Sequence, residues 1–261
     1  MAKRALMVGI NTYSNRSFDL KGCLNDIDSL KRLLVSGPYN FNVDDIESLT
    51  DTSATKQSIL SRLDYMLGTA SPGDTLIFAF SGHGTQAASQ DQSESDKKDE
   101  CLVPYEGTFT SLIRDNDLHG MYNKYIDSRI KFTAIYDMCH SGTMIRELDV
   151  INDNIVEVVS NRCLDVFDLK GRPARDKEIG PYNILSACKD NETAADLRAV
   201  GPSKQSRGAF SYSLHNFLSL TPDLPVAIAD GQILDGIKEV SDHKQNPHYV
   251  VYDINSPLIR Y

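Results

Sequence analysis

The sequence predicts an α/β fold with a mostly parallel sheet covered by helices on both faces. Three observations carry that expectation. The chain has 261 residues, enough to bury a large core without disulfide staples. Its apolar runs have strand length and do not alternate with polar residues, as expected of strands buried on both faces. Helical patterns lie between those runs, so successive strands join through right-handed crossovers.

The elements follow in order. ALMVGI (5–10) reads as the first strand. LNDIDSLKRLLV (24–35) reads as a helix, with apolar residues at 24, 27, 30, 33 and 34. TKQSILSRLDYML (55–67) repeats the helical period after a Ser/Thr-rich start. TLIFAF (75–80) and FTAIY (132–136) read as central strands, with a helix near 116–128 between them. YNILSA (182–187) and YVVY (249–252) are the last strands, and helices are expected over 208–220 and 230–241. ASQDQSESDKKDE (88–100) and the segment from about 145 to 180 read as long loops. There is no internal repeat.

Composition excludes several classes. With 36 acidic against 27 basic residues and a net charge of −9, no nucleic-acid footprint is expected. No run of 18 apolar residues is present, and the N-terminus enters a strand without a signal-peptide pattern, so the expectation is a cytosolic protein with no membrane partner. The five cysteines, Cys23, Cys101, Cys139, Cys163 and Cys188, show no CxxC spacing and read as reduced thiols.

Open α/β sheets gather their chemistry at the carboxyl ends of the parallel strands. Two stretches lie there: FAFSGHGTQ, carrying Ser81, Gly82, His83 and Gly84, and IYDMCHSGT, carrying Asp137, Cys139, His140, Ser141 and Gly142. If the two strands are neighbours, His83 faces Cys139. A thiol next to an imidazole is the equipment of a cysteine protease, with Cys139 as nucleophile and His83 as base and then acid. The Gly84 and Cys139 amides would supply the oxyanion donors. Taken singly, each residue also reads as a satisfied turn histidine or a buried cysteine. His140 adjoins Cys139 but projects elsewhere, and His119, His215, His243 and His248 read as structural or surface residues. A metal site built on Cys139, His83 and His140 lacks a fourth ligand.

Together these stretches resemble the caspase-like cysteine peptidases, in particular the metacaspases and their prokaryotic relatives, the orthocaspases. The resemblance runs through RALMVGINTY, LKGCLNDI, FSGHGTQ, DECLVPYE, YDMCHSGT, SACKDNETAAD and GAFSYSL, and 56 positions separate His83 from Cys139. It implies a caspase-like three-layer sandwich on a mostly parallel six-stranded sheet. One peptidase domain is expected over 1–261, with a large-subunit-like region of about 1–145, a linker of about 146–180 and a small-subunit-like region of about 181–261.

The resemblance also implies cleavage after Arg, and less well Lys, in proteins or peptides. The basic side chain would be read by Asp26 and Asp137, with Cys23 and Ser81 nearby. Asp26 alone would pass for a solvated acid at a helix start. Relatives that use calcium hold it at positions matching Asp99, Asp115, Asn116 and Arg146. Asn116 and Arg146 remove negative charge there, so no calcium requirement and no other cofactor is expected. Relatives also cut themselves in the linker. Arg175, Lys177 and Arg162 are the candidate sites here, Arg175 first because Gly171, Pro173 and dense charge surround it. A caspase-like module that only binds partners, or a peptidase of another specificity, are the alternatives. No motif identifies an activator protein.

Overall fold

The computed structural model describes residues 1–88, 98–138, 158–162, 180–189 and 192–259. In chain order the elements are β1 (Lys3–Gly9), α1 (Cys23–Ser36), β2 (Ile46–Thr50), α2 (Lys56–Gly68), β3 (Thr75–Ser81), β4 (Gly84–Ala88), β5 (Lys98–Leu102), β6 (Ile113–Arg114), α3 (Asp115–Tyr125) and β7 (Lys131–Asp137). There follow β8 (Val158–Asn161), β9 (Asn183–Ser186), β10 (Ala195–Val200), β11 (Gln205–Gly208), α4 (Ala209–Leu220), α5 (Val226–Val240) and β12 (His248–Val250).

Six strands form the central sheet in the order β12-β9-β7-β3-β1-β2. All neighbouring pairs run parallel except β12 with β9. Every residue of β3 is buried, which is why TLIFAFS shows no alternation. One core cluster joins Val8, Phe78 and Phe132 to Leu63 and Met66 of α2 and Tyr122 of α3. The other joins Met7, Ile77 and Ile135 to Leu33 of α1, Phe210 and Leu214 of α4 and Ile233 of α5. Both faces of the sheet are therefore covered, in three layers.

Two segments expected to be loops contain strands. β5 begins at Lys98, inside the acidic stretch, and pairs antiparallel with β4. β8 lies inside the linker and pairs antiparallel with β10, making a small sheet of order β11-β10-β8. Both segments are polar and lack periodicity, and each strand is fixed by a distant partner instead of its own pattern. β2 was also not legible: IESLT buries only Ile46 and Leu49, as suits an edge strand. None of the described helices is long and apolar enough to cross a membrane. Cys23, Cys101 and Cys188 are buried and unpaired.

Candidate active site

Strands β3 and β7 are parallel neighbours, and their register sets Ser81 beside Asp137 at the carboxyl edge. The strands that precede His83 and Cys139 are thus neighbours. Cys139 itself lies outside the described residues, as do Arg175 and Lys177.

His83 follows β3 through Gly82. A Cβ on Gly82 would come within 2.9 Å of the Tyr13 hydroxyl and 3.0 Å of the Phe80 ring, so a side chain in this turn would push both rings aside. The His83 amide donates to the Tyr13 hydroxyl at 2.8 Å, and the two rings lie 5.1 Å apart. On the His83 ring, Nε2 lies 2.7 Å from the Phe18 carbonyl. A carbonyl only accepts, so Nε2 carries the proton and Nδ1 keeps a lone pair. Nδ1 is buried with no hydrogen-bond partner among the described residues. Burial lowers the His83 pKa to about 4, against the opposing pull of the Phe18 and Arg162 carbonyls. At neutral pH the ring is an uncharged base whose free nitrogen is Nδ1.

Asp26 sits in the first turn of α1, where the helix dipole favours an acid. That turn is held from outside the helix. Asn11 Oδ1 accepts from the Cys23 amide at 2.9 Å, and the Asp196 carboxylate accepts from the Lys21 and Gly22 amides at 3.0 and 3.1 Å. Asp26 is 3% exposed, Ser81 2%, Asp137 1% and Asp196 0%, so the group is dry.

Arg162, directly after β8, fills the space between them and is 0% exposed. Its Nη2 donates to Asp26 Oδ2 at 2.6 Å and to Asp196 Oδ1 at 3.0 Å. Its Nη1 donates to Ser81 Oγ at 2.7 Å and ion-pairs with Asp137 Oδ1 at 3.1 Å. Burial pulls the pKa of this guanidinium down, but Asp137 first, then Cys23, Asp26 and Asp196, hold it above the ordinary value. Burial likewise pushes the Asp137 carboxyl up, and Arg162 pulls it back. The Cys23 thiol is raised mainly by burial, which suits a pocket wall and not a nucleophile. The Arg162 carbonyl accepts from the Gly84 N–H at 3.0 Å.

The structure therefore brings Asp26, Asp137, Ser81 and Arg162 into contact, with Gly84 on the same residue's carbonyl. Sequence reasoning missed Asp196, Arg207, Gly208 and Gly22. Arg207 Nε donates to Asp26 Oδ1 at 3.2 Å, and the Gly208 amide reaches both Asp26 oxygens at 3.1 Å. A Cβ on Gly208 would stand 2.2 Å from Asp137 Oδ2, and one on Gly22 would stand 2.3 Å from Asp196 Oδ1. Gly22, Asp196 and Gly208 all lie inside motifs already singled out, but β10 and β11 had no recognisable strand pattern to bring them together.

Of the four candidate calcium positions, Asp99 and Asn116 bond to each other. Asp99 is buried, its carboxylate is ion-paired with the Arg114 guanidinium, and the Asn116 side-chain amide donates to it at 3.0 Å. Two donors facing one carboxylate fill the place of a cation. Arg146 lies outside the described residues.

This sheet order, with an acid-lined pocket at its carboxyl edge, defines a caspase-like fold. Solved structures agree on that fold: a Geobacter sulfurreducens protein superposes with a TM-score of 0.67 at 17% identity, covering 96% of this chain and 93% of that one. Caspase-1 from Spodoptera frugiperda gives 0.60 at 11% identity, covering 96% and 86%. The family model described as metacaspase, peptidase C14 domain, matches residues 3–148, and the chain belongs to that family. Among curated relatives, Metacaspase-1 of Schizosaccharomyces pombe is 28% identical over 93% of this chain and 65% of its own length. Metacaspase-1 of Cryptococcus neoformans is 28% identical over 93% and 61%. The chain thus spans about three-fifths of the length of these relatives.

Proposed function

We propose that this chain is a cysteine endopeptidase that cuts peptide bonds after Arg, less well after Lys, and cuts itself in the linker. Family membership supports the peptidase class. The observation that carries the specificity is the Arg162 guanidinium held by three buried carboxylates, while its carbonyl takes the Gly84 N–H. A forked guanidinium matches such carboxylates bidentately, and an ammonium does so less well.

In this reading Cys139 gives its proton to His83 Nδ1 and its sulfur bonds to the substrate carbonyl carbon. The carbonyl electron pair moves onto the oxygen, which is stabilised by the Gly84 and Cys139 amides. The C–N bond then breaks, and His83 returns the proton to the leaving amine. Water, deprotonated by His83, hydrolyses the thioester, giving a new carboxylate and restoring the thiol. Asp26 and Asp137 anchor the basic side chain, with Cys23 and Ser81 lining the pocket.

Proteins and peptides with basic residues at the cut site are the substrates in this reading. The cytosol is the compartment, and neither calcium nor nucleic acid is required. A proteome-wide cleavage-site profile tests it: Arg first and Lys second at the cut position is the expected result. Cuts after Asp would overturn the pocket assignment.

A further inference from the structure

Arg162 meets three requirements of a bound substrate at once. Its side chain lies in the acid pocket. Its carbonyl oxygen lies on the Gly84 N–H, one residue from the base His83. Its own N–H donates to the Ala194 carbonyl at 3.0 Å, and the residues before it run as an extended strand, with Asn161 opposite Ala195 and Ser160 opposite Asp196. An arginine that only neutralised Asp26, Asp137 and Asp196 would need the first of these. The carbonyl contact and the strand pairing are how an extended peptide adds to a sheet edge in a recognition cleft.

We infer that Val158–Arg162 is a built-in substrate strand. It fills the cleft of the intact chain, shuts out peptides from outside, and makes Arg162–Cys163 the first bond the chain cuts. The inference rests on the reading of the site as an arginine-directed peptidase. A tethered occupant competes at an effective concentration on the order of millimolar, so a free peptide of equal intrinsic affinity is largely excluded. Scission follows the steps given above: the Arg162 carbonyl carbon passes from the Cys163 nitrogen to the Cys139 sulfur and then to water, and Cys163 leaves as a free amine. The product replaces the neutral Arg162 carbonyl on the Gly84 N–H with a carboxylate, in a site that already holds the Asp26 and Asp137 carboxylates, and like charges in a dry site repel. The cut therefore loosens the strand that presented it. Among the candidate self-cleavage sites this favours Arg162 over Arg175, which the linker's composition favours.

Two experiments test the inference. The first uses a labelled Val-Val-Ser-Asn-Arg peptide in the uncuttable Cys139→Ala background, where occupancy is read without catalysis. The peptide is expected to bind Cys139→Ala/Arg162→Ala at least tenfold more tightly than Cys139→Ala. Equal affinity of two folded variants overturns the proposal. The second covers failure of Arg162→Ala to fold and uses Cys163→Pro, which keeps Arg162 but blocks scission after it. This variant is expected to stay uncut at 162 and to turn over an Arg-coumarin peptide at least tenfold more slowly than processed wild type. Turnover at the processed rate overturns the proposal, as does a first wild-type fragment that does not begin at Cys163. If no form hydrolyses any Arg peptide, it is the peptidase reading that fails, and the binding comparison still decides occupancy.

Discussion

Asp26→Asn is the sharpest test of how the pocket reads charge. Asp26 accepts from Arg162 Nη2 at 2.6 Å, Ser81 Oγ at 3.1 Å, Arg207 Nε at 3.2 Å and the Gly208 amide at 3.1 Å on both oxygens. Every neighbour is a donor. Asparagine removes the charge and turns one acceptor into an NH₂ that points at donors, whichever way the amide is flipped. Breaking a buried pair in this manner costs about 3–5 kcal/mol, which corresponds to roughly 10²–10⁴-fold in kcat/KM. The assay compares processed wild type and variant on two peptides, one with Arg and one with the uncharged isostere citrulline at the cut position. The Arg rate is expected to fall by that factor and the citrulline rate by much less, so that the preference for Arg collapses. A folded variant, judged by its melting temperature, that keeps Arg kcat/KM within tenfold of wild type would refute the reasoning.

Cys139→Ala is expected to abolish turnover with a melting temperature within a few degrees of wild type, and His83→Ala to be nearly as damaging; substantial turnover of an Arg peptide by Cys139→Ala would remove the nucleophile assignment. The His83 pKa is lowered from an ordinary 6.5 to about 4, so between those values the unfolded chain binds a proton that the folded chain does not. Its contribution to stability is therefore full above pH 6.5 and is lost as pH falls towards 4. Urea titrations should show wild type losing about 2 kcal/mol more than His83→Gln between pH 7 and pH 5; parallel losses would mean His83 is not buried in its neutral form. Turnover should persist in excess chelator, because Arg114 and Asn116 already satisfy Asp99; a millimolar calcium requirement would show that another ligand set exists.

Much of the scaffold was legible because buried parallel strands declare themselves. Thr75–Ser81 and Lys131–Asp137 are apolar runs ending in chemistry, and the helix expected over 24–35 is observed at Cys23–Ser36. The helix expected over 230–241 starts earlier, at Val226, because Pro225 sits at its N-cap and pre-sets the turn. The pocket was half legible. Asp26, Ser81 and Asp137 sit at the ends of strongly patterned elements. Asp196, Arg207 and Gly208 come from a short irregular hairpin whose register shifts between Leu197 and Val200, and such strands leave no period to read. Arg162 was visible as one basic residue among several in a polar linker. Its position depends on pairing with β10 across more than thirty residues of chain, which no local pattern encodes.

The two glycines that wall the pocket have a consequence for ligand chemistry. Because main chain, not side chains, closes the space around the guanidinium at Gly22 and Gly208, the wall at those two points has no rotamer with which to adapt. Flat amidinium and guanidinium heads match such a slot, while branched or tetrahedral cations of the same charge meet backbone that cannot step aside. Inhibitors should accordingly gain selectivity from planarity at the head group more than from added bulk. A shift of preference towards other side chains would have to begin with the side chains that line the rest of the pocket, since the two glycines offer nothing to trim.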